Sequence, residues 1–326
     1  MKAVQIQAYG GPEVVEVVDM DTPEPGPGQV LVKAHTFGLG YPDVLLRTGV
    51  YKWKPALPSI LGNEMSGHIE ALGTGVTGLD IGQPVLVFGT GGGRHAEYNA
   101  VDTALVTPLP ESVDLEAAVS IPNYLVAWAI LHDVARTSRV KTIYVNGAAG
   151  GMGTAILDMC RDAGIATIAG ASSDEKCAFA AKLGTLGTVN YTTENIVEKV
   201  RAITDGRGVD LSFDQLGGPD LVKNLDMLAP LGLVVLYNAL AGAPDEDLYE
   251  GLRARRGLSL GVQCFSLHVY DEQPERKAEI FDALIAKFAA GAYAPPTFDR
   301  LPLSEARRAH ELMGERAIMG KLLLKP

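Results

Sequence analysis

Cysteine is scarce in this chain. Only Cys160, Cys177 and Cys264 occur in 326 residues, and no two of them form a CxxC pair. That excludes a disulfide framework and a cysteine-rich zinc site. All three read as small buried hydrophobes. Basic charge is also short: 28 lysines and arginines face 39 acids, a net charge of −11. A field of that sign repels nucleic acid, which argues against a general phosphate-binding surface. The one basic cluster, Arg253, Arg255 and Arg256, reads as the end of a solvated helix. Runs of apolar residues are too short to span a bilayer. The opening stretch MKAVQIQAYGG alternates like a strand and lacks the apolar core of a signal peptide. The expectation is a cytosolic protein with neither a nucleic-acid nor a membrane partner.

What is present is the balance of a globular protein, 47% hydrophobic and 21% charged, with length enough for two domains. The first third is rich in glycine and proline, and turn signals such as PEPGPGQ punctuate short apolar runs. This predicts an irregular β-barrel-like domain. Within it, YPDVLLRTG reads as one or two helical turns, with Asp43 and Arg47 spaced for a local ion pair. Near residue 121 the character changes to alternating strands and helices. VKTIYVNG, IATIAGAS, TVNY, VDLSFDQLGG, LGLVVLYNALAG and LSLGVQCF read as six strands, with PDLVKNLDMLAP as a helix between the fourth and fifth. The predicted fold class is α/β, a doubly wound parallel Rossmann sheet beside the first domain. The catalytic domain is expected over residues 1–121 and 265–326, and the cofactor domain over 122–264. LSLGVQCF would be the sheet's last strand and an edge, apolar but for Gln263 and without lysine or proline. An edge of that kind predicts a homodimer formed by twofold strand pairing.

VNGAAGGMG at 145–153 lies between the first of those strands and a helix. The pattern is AxGxxG: Ala148 for a tight turn, Gly150 for close approach of a pyrophosphate, Gly153 for helix–strand packing. The backbone of Gly150, Gly151 and Met152 would then face the phosphates. The second strand ends in Ala171, Ser172 and Ser173, followed by Lys176, with no carboxylate at its tip. An acid there would bind the ribose 2′-hydroxyl of NADH. Two hydroxyls and an ammonium suit a 2′-phosphate, so NADPH is the expected cofactor. Ser172 or Ser173 could equally cap the helix beginning at Asp174. Tyr237, after LVVL, is placed at the carboxyl edge of the sheet, where cofactors bind.

GAAGGMG, GASSDEK, LGTLGTVNY, DQLGG and the closing RAIMGKLLL together resemble the medium-chain dehydrogenase/reductase superfamily, in particular its zinc-free quinone oxidoreductase family. The resemblance runs nearly end to end and implies a GroES-like β-barrel catalytic domain. It implies that Tyr191 lies near the adenosine, unless it is an ordinary packed aromatic, and that Arg316 and Lys321 are C-terminal cofactor contacts. It also bears on metal. Zinc-dependent members of the superfamily carry a cysteine where Gly40 stands and a histidine where Asn63 stands, and Glu64 alone cannot hold zinc. The six histidines show no ligand spacing and read as satisfied or exposed. Without a Lewis acid the substrate must already be electrophilic. The implied activity is hydride transfer from NADPH to a quinone or an α,β-unsaturated carbonyl. Tyr41 and Tyr51 are the candidate donors to the developing oxyanion. Polar residues that relatives often carry near the nicotinamide are replaced by Gly40 and Val126. An enoyl-thioester reductase, or a non-catalytic NADPH-binding protein, are the alternatives.

Overall fold

The computed structural model describes residues 1–135 and 137–326. It divides into two units, residues 1–122 with 281–326, and residues 123–280. The chain rejoins the first unit at 281 where the sequence suggested 265. Two bonds account for the difference: Tyr270 Oη donates to Asp133 Oδ2 at 2.6 Å, and Arg276 pairs with Asp133 Oδ1 at 2.8 Å. Both tie the 265–280 segment to a residue of the second unit.

In the first unit, β1 (Lys2–Ile6) lies between β2 (Val15–Asp19) and β4 (Ser59–Ile60). The larger sheet centres on β3 (Gln29–Leu39), followed in order by β5 (Glu64–Leu72), β6 (Pro84–Phe88) and β8 (Val106–Pro108). On its other side β3 pairs with the C-terminal strand Lys321–Lys325, which Thr297–Pro302 extends, and it also carries β7 (Tyr98–Asp102). Every residue of β6, PVLVF, is buried, as expected of a strand covered on both faces. Phe37, Leu46, Leu61, Met65 and Ile69 fill the core. The register sets Gly38 opposite Glu64 and Leu39 opposite Leu322. It thereby gathers residues 38–40, 64 and 321 at one end of the sheet.

The second unit is a six-stranded parallel sheet of β9 (Thr142–Asn146), β10 (Ala166–Ala171), β11 (Gly187–Asn190), β12 (Val209–Asp214), β13 (Leu228–Leu236) and β14 (Gly261–Cys264). Its order is β11-β10-β9-β12-β13-β14, the doubly wound arrangement expected. Tyr144, Ile168, Val189, Leu225 and Val234 form its core.

Three details differ from the sequence reading. The helix expected over 219–230 is only Leu221–Asn224 plus a single 3-10 turn, and β13 already begins at Leu228. Pro230 cannot continue a helix, and Leu228 pairs with Val209 instead. The basic cluster marks a helix end, and the structure supplies the helix, Leu248–Ala254, in which Arg253 pairs with Glu250 and Arg255, its C-cap, with Asp226. Cys264 is exposed on β14, unlike the buried Cys160 and Cys177.

Candidate functional site

β9 ends at Asn146 and delivers the glycine loop. Gly147 has φ +70, and a Cβ there would overlap the Gln215 side-chain amide. The Ala148 N–H donates to Gly170 O at 2.9 Å, which ties the loop to β10. Gly150 is the N-cap of the helix Gly151–Asp162, which has no side-chain cap. Three other helices of this unit begin on capping side chains, Ser173, Asn195 and Asp247. The two glycines of the motif differ in what they serve. A Cβ on Gly153 would lie 2.5 Å from Ala148 Cα, so helix–strand packing requires glycine. A Cβ on Gly150 would meet nothing closer than Gly147 O at 3.6 Å, so the fold itself does not require it. An uncapped helix N-terminus behind an unobstructed glycine fits a dinucleotide pyrophosphate, with Gly151 and Met152 in the first turn.

At the tip of β10, the Lys176 ammonium donates to Ser172 Oγ at 3.4 Å. Ser173 is the residue that caps the next helix, accepting from the Lys176 N–H at 3.3 Å. The helix-capping reading thus falls to Ser173, and Ser172 is the serine beside the ammonium. The nearest acid, Asp174, accepts from Asn190 Nδ2 at 2.7 Å. Tyr191 follows β11 directly; its N–H donates to Ala171 O at 3.1 Å and its side chain is half-buried. Tyr237 follows β13, where its N–H donates to Asp214 O at 3.1 Å and its ring meets the edge of Phe213. Its hydroxyl is buried without a partner, and burial raises its pKa. In a parallel sheet these strand ends share one edge, so the glycine loop, Ser172, Lys176, Tyr191 and Tyr237 all belong to it.

Sequence reasoning assigned no role to Asp214. Its Oδ1 accepts from Asn146 Nδ2 at 3.2 Å, from the Leu216 N–H at 2.8 Å and from the Gly217 N–H at 3.2 Å. It thus holds the end of β9 against the turn that carries Gln215. Burial raises its pKa while those donors lower it. The only available signal was a carboxylate closing a buried strand in DQLGG.

In the first unit, Tyr41 opens the helix Tyr41–Thr48 and Tyr51 lies beyond its other end. The helix, roughly 12 Å long, keeps the two apart. Tyr51 packs against Trp53 with ring centroids 5.5 Å apart. Asp43 does not pair with Arg47. Its carboxylate reaches back to the Gly40 N–H at 2.8 Å and accepts from Asn63 Nδ2 at 3.2 Å, whereas Arg47 donates to Gly10 O at 2.9 Å. A first-turn acid satisfies the open helix end, which here outcompetes the i,i+4 pair. Asn63 Oδ1 accepts from the Gly92 N–H at 3.2 Å. Lys321 begins the C-terminal strand. It is 4% exposed and ion-paired to the buried Glu64, so its ammonium is committed inside this unit. Arg316 is exposed, at φ +54.

Burial pushes the Asp43 carboxyl up to about 6 and raises Glu64, with the charge of Lys321 opposing both. Burial lowers His95 to about 4 and His310 to about 3. His310 is not a satisfied histidine, because neither ring nitrogen has a partner. Among the described residues no cluster of three or more His, Cys, Asp or Glu could hold a metal ion. No described helix is long and apolar enough to cross a membrane.

Two family models match the chain: an alcohol dehydrogenase GroES-like domain over residues 26–111, and a zinc-binding dehydrogenase domain over residues 151–279. The quinone oxidoreductase of Pseudomonas aeruginosa is 32% identical over 100% of this chain and 99% of its own length. A 2-haloacrylate reductase from Burkholderia sp. is 30% identical over 99% of this chain and 98% of its own. Among solved structures, Escherichia coli quinone oxidoreductase complexed with NADPH is similar at a TM-score of 0.89 and 28% identity, covering 100% of both chains. The fold is therefore a GroES-like domain with a Rossmann domain. The chain belongs to the quinone oxidoreductase family of the medium-chain dehydrogenase/reductase superfamily.

Proposed function

We propose that this chain is an NADPH-dependent reductase that transfers hydride to a quinone or an α,β-unsaturated carbonyl. The observation that carries the reading is the Ser172–Lys176 pair at the tip of β10, on the same sheet edge as the uncapped Gly150 helix. Reductase names among the relatives, and the NADPH held by the E. coli structure, support it.

Bound NADPH supplies the hydride. The backbone N–H groups of Gly150, Gly151 and Met152 hold the pyrophosphate, and Ser172 with Lys176 holds the 2′-phosphate. Tyr191 would contact the adenosine side, and the unpartnered Tyr237 hydroxyl would gain a polar partner from the cofactor. Arg316 is a further cofactor contact. Lys321 acts indirectly, by neutralising Glu64 beneath the 38–40 turn. Tyr41 or Tyr51 donates to the oxygen that becomes anionic. With a quinone, the hydride given up by NADPH and one proton would complete the hydroquinone and leave NADP⁺. With an enone, hydride adds to the conjugated carbon and a proton quenches the enolate.

We further infer that the reaction proceeds without zinc. Position 40 has no side chain, Asn63 is bonded to Asp43 and Gly92, and Glu64 is paired with Lys321. The exposed edge of β14 supports a homodimer, and three free cysteines support a cytosolic setting. The first unit serves as the catalytic domain and the second as the cofactor domain.

The test is NADPH oxidation by protein purified without added metal, against a panel of quinones, enones and acyl-CoA esters, with elemental analysis of the same sample. Turnover of quinones or enones with no stoichiometric zinc is the expected result. Preference for acyl-CoA esters would instead indicate an enoyl-thioester reductase. NADPH binding with no turnover on any acceptor would indicate a binding protein.

A further inference from the structure

The first unit contains a basic, aromatic segment that the cofactor does not explain. In a chain of net charge −11, residues 44–63 include Arg47, Lys52 and Lys54 and no acid. Arg47 is buried and turned toward Gly10 O, so Lys52 and Lys54 are the cations that face solvent. Aromatic rings accompany them. Lys52 Nζ lies 5.2 Å from the Trp53 ring centroid, and Lys54 Nζ lies 4.9 Å from that of Tyr9. Trp53 is 40% exposed and Val50 is 70% exposed, an apolar surface beside those two charges.

The segment is built to hold this shape. Gly49, at φ +74, lets the chain turn directly against the face of Tyr9. Lys54 Nζ donates to Gly49 O at 2.7 Å, and Tyr9 Oη donates to Pro55 O at 2.8 Å. Lys54 is thereby fixed, whereas the Lys52 ammonium lies over the Trp53 ring. An exposed indole with an ammonium over its ring is complementary to a planar π-system that carries a negative charge.

We propose that Val50–Pro55 selects planar aromatic acceptors bearing an anionic substituent, a sulfonate or carboxylate, with Trp53 as the flat contact and Lys52 as the charge. Both are specificity-determining residues. The inference rests on the quinone-reductase reading and on Tyr51, in the same segment, facing the acceptor.

The experiment compares kcat/KM for phenanthrenequinone and for its ring sulfonate at saturating NADPH. For Lys52→Glu the sulfonate-to-parent ratio should fall about fivefold, the scale of an exposed charge pair. Lys52→Arg should preserve the ratio, and added salt should lower it in the wild type. Trp53→Ala should raise the KM for both quinones. A ratio unmoved by Lys52→Glu overturns this inference while leaving the reductase reading intact. Failure of the wild type to oxidise NADPH with either quinone overturns the reductase reading, and this inference with it. Loss of a dimer in Lys52→Glu, measured by light scattering, would assign the patch to a second copy of the chain and overturn the proposal.

Discussion

Lys176 and the motif glycines are where single residues decide most. The Lys176 ammonium already bonds Ser172, so the pair is arranged before any ligand arrives. Lys176→Ala should raise the KM for NADPH far more than that for NADH. One lost charge-assisted bond amounts to about 1.5–3 kcal/mol, and steady-state kinetics with both nucleotides checks it. Gly150 and Gly153 separate binding from folding. Gly150→Ala has room, so it should fold normally and bind NADPH weakly. Gly153→Ala would press a Cβ to 2.5 Å from Ala148 Cα and should cost about 1–3 kcal/mol of stability as an overpacking change. Thermal melts beside NADPH titrations distinguish the two outcomes.

At the scale of elements, the six strands and the glycine-loop helix follow from local patterns. Buried parallel strands read as apolar runs, and the turns between them need glycine. The 219–230 segment misled because its helical spacing ended in a strand that pairs with β12, a partner distant in sequence. β14 pairs only with β13 among the described residues, and Gln263 and Cys264 are exposed on it. Twofold pairing of this edge would make one continuous sheet across two chains. Val262→Pro removes an N–H from that strand and should weaken the dimer. Light scattering over a dilution series measures this, and a wild-type monomer at micromolar concentration would end the idea.

For the whole molecule, buried titratable groups set the response to acid. His95 and His310 are neutral in the fold, lowered to about 4 and about 3. Unfolding lets each bind a proton below its ordinary pKa, so their contribution is intact above that value and declines as pH falls. Asp43, raised to about 6, opposes them, because the folded state holds its proton more tightly than the unfolded chain. Each of these histidines adds a slope of up to about 1.4 kcal/mol per pH unit below its ordinary pKa, opposed by the raised carboxyls Asp43, Glu64 and Asp214. His310→Leu should flatten that slope, and its two unpartnered nitrogens would be removed at little cost. Urea midpoints measured from about pH 7 down to about pH 5 test both expectations.

Features that depend on short-range geometry were legible from the residues alone. These are the turn before the Gly151–Asp162 helix and the absence of an acid at the β10 tip; that Gly40 and Asn63 stand where zinc-dependent relatives carry ligands came from the resemblance. Such features depend on a few consecutive residues and on what a missing side chain cannot do. Where the buried charges went depended on the packed fold. Lys321 found Glu64 across 257 positions, Asp43 turned to Gly40 and Asn63, and Asp214 gathered three donors around the base of the glycine loop. A charge removed from water must take whichever partners the packed core brings within reach. Those partners are set by sheet register and chain crossing, which no local pattern records.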